Sequence, residues 1–120
     1  MGAPDGSPAP SIDVWRPAQH PQTMVVTIAG RIDRGDAARF GARLFDELSA
    51  DRASAVICDV NGLVRPDAVA VDAICRFRVA AGRFGAVLRL RYASAELLEL
   101  LDLMGLCDVL TDPSESGLQA

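Results

Sequence analysis

The sequence contains no lysine, and its 12 basic residues are all arginines. Without lysine the chain cannot form a Schiff base through a side-chain amine, and it lacks the phosphate-binding lysine of a Walker loop. Aromatic residues are few, with one Trp, one Tyr and four Phe, and the net charge is −4. Nucleic-acid binders carry a basic surface and, for single strands, aromatic stacking platforms, so this composition predicts no nucleic-acid partner.

Cysteine and histidine are also scarce. Cys58, Cys75 and Cys107 are odd in number, widely spaced and set among apolar residues, unlike a disulfide framework or a zinc site. Cys75 and Cys107 are candidates for a redox pair, although buried thiols that fill space are the simpler interpretation. The single histidine, His20, lies near prolines with no second ligand close by, so we expect no metal site and no cofactor.

Long apolar runs are absent as well. No stretch approaches the ~20 apolar residues that a membrane-spanning helix needs. The N-terminus has neither the positive charge nor the apolar run of a signal peptide. We therefore expect no direct membrane insertion and a cytoplasmic location.

The chain has enough apolar content for one core. Hydrophobic residues make up 50% of its 120 residues, so a single domain is expected. Residues 1–11 are rich in Pro, Gly, Ala and Ser and predict a flexible leader. We assign residues 12–112 to the domain and residues 113–120 to a C-terminal tail.

Hydrophobic periodicity predicts the order strand, strand, helix, strand, helix, strand, helix. The first two strands are expected to pair as an antiparallel hairpin, and each later strand to follow a helix, as in β-α-β units. The fold class is therefore α/β, with a mixed sheet of about four to five strands and about three to four helices. The strands are expected at 12–16, 24–29, 55–60 and 86–92, with a short one at 109–111, and the helices at 36–49, 68–82 and 94–104. Asp33 and Ser94 are expected to cap the first and third helices. Leu88, Leu90 and Tyr92 should share one face of the fourth strand, and the third helix should bury Leu97, Leu98, Leu101 and Met104.

The strand, loop and helix within residues 55–81 form the expected centre of the molecule. Residues 55–60 are apolar enough for a central strand covered on both faces, and Asn61 and Gly62 are expected to end it. Asp67 can accept hydrogen bonds from the free amides of a helix that begins at Ala68. Because open α/β sheets place their working surface at the carboxyl ends of parallel strands, we expect function at this loop.

The run CDVNGLVRPDAVAVDAI resembles the signature of STAS domains, the anti-sigma factor antagonist fold. Asp59, Gly62 and Asp67 occupy matching places in that signature. The GRID turn ending at Asp33 and the segment ELLELLDLMGLCDVL resemble two further patterns of the family, in the same order. The resemblance covers about residues 12–112. It implies a non-enzymatic module that binds a kinase-type anti-sigma factor through residues 59–76.

One position departs from the family. The residue after Asp67 is a phosphorylated Ser in the family, and here it is Ala68, so no phosphorylation site is expected. Either the protein is permanently competent to bind, or it uses the fold differently, as an accessory subunit of a lipid-transport ABC transporter bound to its ATPase. A homodimer is also possible. The predicted partner-binding residues are Asp33, Asn61, Gly62, Val64, Arg65, Asp67, Ala68, Val69, Asp72 and Arg76.

Two other classes of function receive less support. Asp59, Asp67 and Asp72 are possible paired carboxylates, but no His or Lys is placed to complete a catalytic site, so we expect no enzyme and no catalytic residue. No glycine-rich phosphate loop precedes a helix, which disfavours a nucleotide sensor. Arg65 and Arg76 instead suggest a positive rim around an apolar docking face, which would attract an acidic partner.

Overall fold

The fold is a five-stranded mixed sheet with three helices among the described residues. A computed structural model describes residues 9–64, 66–104 and the backbone of 110–111. The elements are β1 (Ser11–Trp15), β2 (Thr23–Gly30), α1 (Arg34–Ala50), β3 (Ala55–Leu63), α2 (Ala68–Arg83), β4 (Val87–Arg91), α3 (Ala95–Leu103) and β5 (Leu110–Thr111).

The strands lie side by side in the order in which they occur in the chain. β1 and β2 form the expected antiparallel hairpin, in which Ile12 is opposite Ile28. The pairs β2 with β3, β3 with β4, and β4 with β5 are parallel. Each parallel pair is joined through one of the helices, so the predicted α/β architecture is confirmed.

All three helices pack on one face of the sheet. Right-handed crossovers that always step in the same direction across a sheet place their helices on the same side, and the strand order requires such steps. The buried core combines alternate strand residues with the inner sides of the helices. Its members include Met24, Val26, Ile28, Phe40, Leu44, Leu48, Val56, Cys58, Val60, Ile74, Phe77, Leu88, Leu90, Leu97 and Leu101.

The opposite face of the sheet carries no helix in the described part of the chain; we call it the open face. The prediction that β3 is covered on both faces was therefore wrong. Ala55, Ile57 and Asp59 point to the open face and are only half-buried, whereas Val56 and Cys58 are completely buried. An apolar run alone does not reveal this difference, because the direction of the crossovers decides it.

β3 also extends further than predicted, since it continues through Asn61 and Gly62. Asp59 pairs with Thr27 and Gly62 pairs with Ala29, so β3 has one more residue than β2 between these pairs, which is a β-bulge. A Cβ on Gly62 would lie 2.7 Å from the Ala29 Cβ, a distance that no side chain tolerates. Gly62 therefore permits close approach of two strands here and does not end one.

The predicted helix caps are confirmed at Asp33, Asp67 and Ser94. The apolar side of α3 is narrower than predicted, because Leu98 is 41% exposed and Met104, which is 49% exposed, lies just beyond the end of the helix. A helix of nine residues rests on the sheet through one stripe, and positions beside that stripe remain in contact with water.

The end of β4 differs from the predicted alternation. Tyr92 was expected to share a face with Leu88 and Leu90, but it is 51% exposed. Its φ of 63° is in the left-handed region, so the chain leaves the strand direction there.

Candidate partner-binding surface

The helices α1 and α2 both begin at one edge of the sheet. β2 and β3 are parallel and neighbouring, so their carboxyl ends meet at this edge. The backbone N–H of Val64 donates to the Gly30 carbonyl, 3.1 Å away, and joins the two strand ends. Each strand is followed by a short turn and a helix, which brings the N-termini of α1 and α2 to the same side of the molecule.

The first turn of α2 exposes small apolar groups beside one carboxylate. Asp67 accepts hydrogen bonds from the N–H groups of Val69 and Ala70 at 3.0 and 3.2 Å. Ala68 is exposed, whereas Val69 is half-buried and packs against the core. The side chain of Asp67 thus occupies the anion position that free amides create at a helix N-terminus.

Charged side chains surround this turn. Asp72 and Arg76 form an ion pair of 3.1 Å one helical turn apart. Arg34, from the start of α1, joins them in lining a shallow depression of about 340 Å³ with Ala68 and Val69. We call Arg34, Asp67, Ala68, Val69, Asp72 and Arg76 the α2 N-terminal surface. Its member Arg34 was not predicted, although its position directly after the GRID turn was a usable signal.

The first turn of α1 is built differently. The N–H of Asp36 donates to Asp33 at 2.8 Å, and the N–H of Asp33 donates to Asp36 at 3.0 Å, so the two aspartates form a capping box. Asp36 is only 4% exposed and pairs with Arg39. The hydrogen bond from the Asp36 backbone lowers the pKa of Asp33 below its usual value. Sequence reasoning identified Asp33 but missed Asp36, although an acid three residues after a cap is the known pattern.

A groove between α1 and α2 extends from the α2 N-terminal surface. Its volume is about 630 Å³, and its walls are mostly apolar. A Cβ on Gly41 of α1 would lie 2.9 Å from the Arg76 Cβ, so this glycine lets the two helices approach closely. Phe45 packs edge-on against Phe84 with ring centroids 5.0 Å apart, and the Arg83 guanidinium lies over the Phe45 ring.

Three further predicted site residues, Asn61, Gly62 and Val64, lie at the same edge of the sheet. Asn61 and Gly62 are exposed in the last residues of β3, and the Asn61 N–H donates to Asp59 at 3.0 Å. Val64 is half-buried, and Arg65 lies outside the described residues. The structure therefore groups five of the predicted residues on the α2 N-terminal surface, with Asn61, Gly62 and Val64 at the same edge of the sheet and Asp33 at the start of α1. These five are Asp67, Ala68, Val69, Asp72 and Arg76.

The three aspartates considered as a catalytic set have separate roles. Asp59 accepts from its own strand, Asp67 caps α2, and Asp72 pairs with Arg76. Within residues 9–64 and 66–104, no three His, Cys, Asp or Glu side chains are arranged to hold a metal ion.

Cys58 and Cys75 are the two cysteines among the described residues, and they have different surroundings. Burial raises the pKa of the Cys58 thiol far above its ordinary value, so this thiol stays protonated. Cys75 lines the groove between α1 and α2, and Cys107 lies outside the described residues, so the redox pair stays a prediction.

None of the helices in the described part of the chain has the length and apolar character needed to cross a membrane.

A family model matches most of this chain. The family model described as Mlab, STAS domain matches residues 15–111. No curated protein matches the chain.

Solved structures share the fold at low identity. The unphosphorylated anti-sigma factor antagonist SpoIIAA has a TM-score of 0.68 and 12% identity, covering 92% of this chain and 100% of its own. RsbS of Moorella thermoacetica, as a serine-to-glutamate variant, has a TM-score of 0.70 and 16% identity, covering 84% and 85%. An anti-sigma factor antagonist of Mycobacterium paratuberculosis has a TM-score of 0.62 and 18% identity, covering 94% and 91%. With a family model that spans most of its length and a fold shared with these proteins, the chain belongs to the STAS domain family.

Proposed function

We propose that this STAS domain is a non-enzymatic binding module of the anti-sigma factor antagonist type. It docks a kinase-type anti-sigma factor through the α2 N-terminal surface, in the cytoplasm. The names of two solved structures of the same fold, both anti-sigma factor antagonists, support an anti-sigma factor as the partner. The observation that carries the proposal is the exposed Ala68 at the first position of α2, next to the half-exposed Val69 and the cap Asp67.

The chemistry of this turn fits a docking surface without a phosphorylation switch. A phosphate group would add about −1.5 to −2 charges at a helix start, but alanine has no hydroxyl to accept one. The amides of Val69 and Ala70 are already bound by Asp67. The charge and shape of the surface are therefore constant, and binding is constitutive.

The charges of the surface favour an acidic partner. Asp67 is engaged by backbone amides, and Asp72 is paired with Arg76. Arg34 makes no ion pair within residues 9–64 and 66–104. A partner carboxylate placed over the depression would meet the Arg34 guanidinium, which adds attraction and orientation to the apolar contact.

The test is an affinity capture from the native cytoplasm with the intact protein as bait. Ala68→Glu and Val69→Glu place a charge on the apolar part of the surface, and we expect both to lose the partner. Leu103→Glu is the matched control, because Leu103 is 81% exposed at the end of α3. With the purified partner, each variant at residue 68 or 69 should weaken binding by about thirty-fold or more, which corresponds to ~2 kcal/mol. A partner bound equally by all variants would contradict the proposed surface.

A gain-of-function variant tests the kinase character of the partner. Ala68→Ser supplies the missing hydroxyl at the start of α2. If the partner is a kinase-type anti-sigma factor, this variant becomes phosphorylated at residue 68 when incubated with the partner and ATP, and the complex then dissociates. A complex that neither phosphorylates the variant nor releases it would remove the kinase from the proposal.

A second candidate is an accessory subunit bound to the ATPase of a lipid-transport ABC transporter. It is kept because the matching family model bears the description Mlab and not that of an anti-sigma factor antagonist. The same capture experiment separates the two functions. An ATPase that is lost with Val69→Glu and retained with Leu103→Glu would support this second function.

A further inference from the structure

The open face of the sheet presents two complete rows of side chains across four strands. Residues opposite each other in register point to the same face, so the rows follow from the strand pairing. The first row is Trp15, Val25, Ile57 and Arg89, and the second is Asp13, Thr27, Asp59 and Arg91.

The ring of Trp15 and three of the four charged groups lie at the two ends of these rows, on β1 and β4. The middle strands contribute the half-buried Ile57 and Val25, which is only 2% exposed, to the first row, and Thr27 and Asp59 to the second. Trp15 on β1 is 47% exposed, and Arg89 on β4 is exposed without an ion pair in the described part of the chain. The β1 side of the face thus carries a ring and the carboxylate of Asp13, and the β4 side carries guanidinium groups.

We propose that the open face binds the open face of a second copy of this chain. The two-fold axis runs parallel to the strands, midway between β2 and β3. This axis places β1 of each copy over β4 of the other. Trp15 then faces the second copy's Arg89 and Asp13 faces its Arg91, so the contacts that favour the dimer lie at the two ends of the rows. The face is self-complementary about this axis, as an isologous dimer requires.

The expected contacts are those of two sheets packed face to face. Such sheets align within about 30° and lie ~10 Å apart, which leaves room for one interdigitated layer of side chains. A guanidinium over an indole ring is the strongest common cation–π pair, and the symmetry creates it twice. The Asp13 and Arg91 pair also occurs twice and fixes the orientation of the copies.

The size of the face predicts a weak dimer. Four strands about 4.8 Å apart and five residues of about 3.3 Å each give a projected area of roughly 300 Å². This area is well below the ~800 Å² per partner of a typical stable interface. We therefore expect dimerisation at high protein concentration, and the α2 N-terminal surface stays free because it belongs to the helical side. The dimer is independent of the proposed function.

Sedimentation velocity over a range of concentrations measures this dimer directly. Trp15 is the only tryptophan of the chain, so a concentration-dependent blue shift of its fluorescence reports its burial in the same samples. Arg89→Glu should abolish both signals. Arg78→Glu, the same charge reversal at an exposed position of α2, should leave both unchanged.

A mixture of two variants tests the axis itself. Asp13→Arg alone brings two arginines together at each pair, and Arg91→Asp alone brings two aspartates together, so each variant should be monomeric. An equal mixture should dimerise again, because every pair then joins opposite charges. Thermal unfolding confirms that each variant is folded. A wild-type monomer at every concentration, a dimer that survives Arg89→Glu, or a mixture that stays monomeric would overturn the proposal.

Discussion

The units β2–α1 and β3–α2 have the same strand, turn and capped helix, and they differ at the third residue of the helix. In each unit a parallel strand leads through a short turn to a helix capped by an aspartate, Asp33 or Asp67. In α1 the third helical residue is Asp36, which completes the capping box and pairs with Arg39. In α2 the third residue is the buried Ala70, and the first turn contains no acid.

This difference shows how one local pattern gives two surfaces. The start of α1 satisfies its own amides and charges through side chains of the same turn, so it has little capacity left for a partner. The start of α2 has one cap, the exposed Ala68 and the half-buried Val69, and the apolar surface that these two side chains leave open becomes buried only when another molecule covers it. We infer that the first turn of α1 stabilises this edge of the sheet, whereas the first turn of α2 is the part available for a binding partner.

The largest loss of stability is expected when the capping-box aspartate of α1 is introduced at the matching position of α2. Ala70→Asp places a carboxylate at a position that is 3% exposed, and Ala73 stands where α1 has Arg39. We expect a loss of about 2–4 kcal/mol in the free energy of unfolding, because a buried charge without a partner is costly. Urea unfolding measures it. Unchanged stability would show that the first turn of α2 tolerates the capping box.

Removing the capping-box aspartate from α1 should lower the free energy of unfolding by a smaller amount. Asp36→Ala removes the acceptor of the Asp33 N–H and the partner of Arg39, so α1 becomes similar to α2. We expect a loss of about 1–2 kcal/mol, since a partly buried donor is left without its hydrogen bond. The double variant Asp36→Ala/Arg39→Ala should lose little more, because both changes break the same pair. A strictly additive result would contradict that coupling.

The cap of α2 is expected to contribute about 1 kcal/mol, the typical cost of replacing an exposed N-cap aspartate by alanine. Asp67→Ala removes the acceptor of two amides, and water replaces it. Chemical denaturation gives the value. The control is Asp67→Asn, which keeps an N-cap acceptor and should recover most of the stability.

The smallest effect concerns pH. The pKa of Asp33 is lowered in the folded state by the hydrogen bond from Asp36, so its ionisation stabilises the fold above its unfolded pKa. That contribution is lost as the pH falls through the folded pKa. The difference in stability between the wild type and Asp33→Asn should therefore be constant near neutral pH and shrink below about pH 4. A difference that grows on acidification would contradict this sign.

Much of the fold could be predicted because its signals are local. The alternation of Leu88 and Leu90 identified β4, and Asp33, Asp67 and Ser94 identified the starts of all three described helices. The extent of β3 could not be predicted in this way. Asn61 and Gly62 favour turns by themselves, and only pairing with a distant strand keeps them extended.

The candidate surface likewise combines residues that local sequence patterns predict with residues that only the packing of two helices reveals. Ala68 and Val69 were identified from the cap and the family resemblance. Arg34 and the burial of Asp36 depend on how α1 lies against α2, which no pattern within one helix reveals. The self-complementary open face likewise requires the register of four strands.

The strand order has a consequence for synthesis of the chain. Because β1 to β5 lie in the order in which they leave the ribosome, each new strand can add to the edge formed by its predecessor, and none has to insert between two others. Assembly can therefore proceed vectorially, with short loop closures at each step. Until the next strand arrives, every nascent intermediate exposes an unpaired parallel edge, which is where we expect chaperone contact or aggregation to begin.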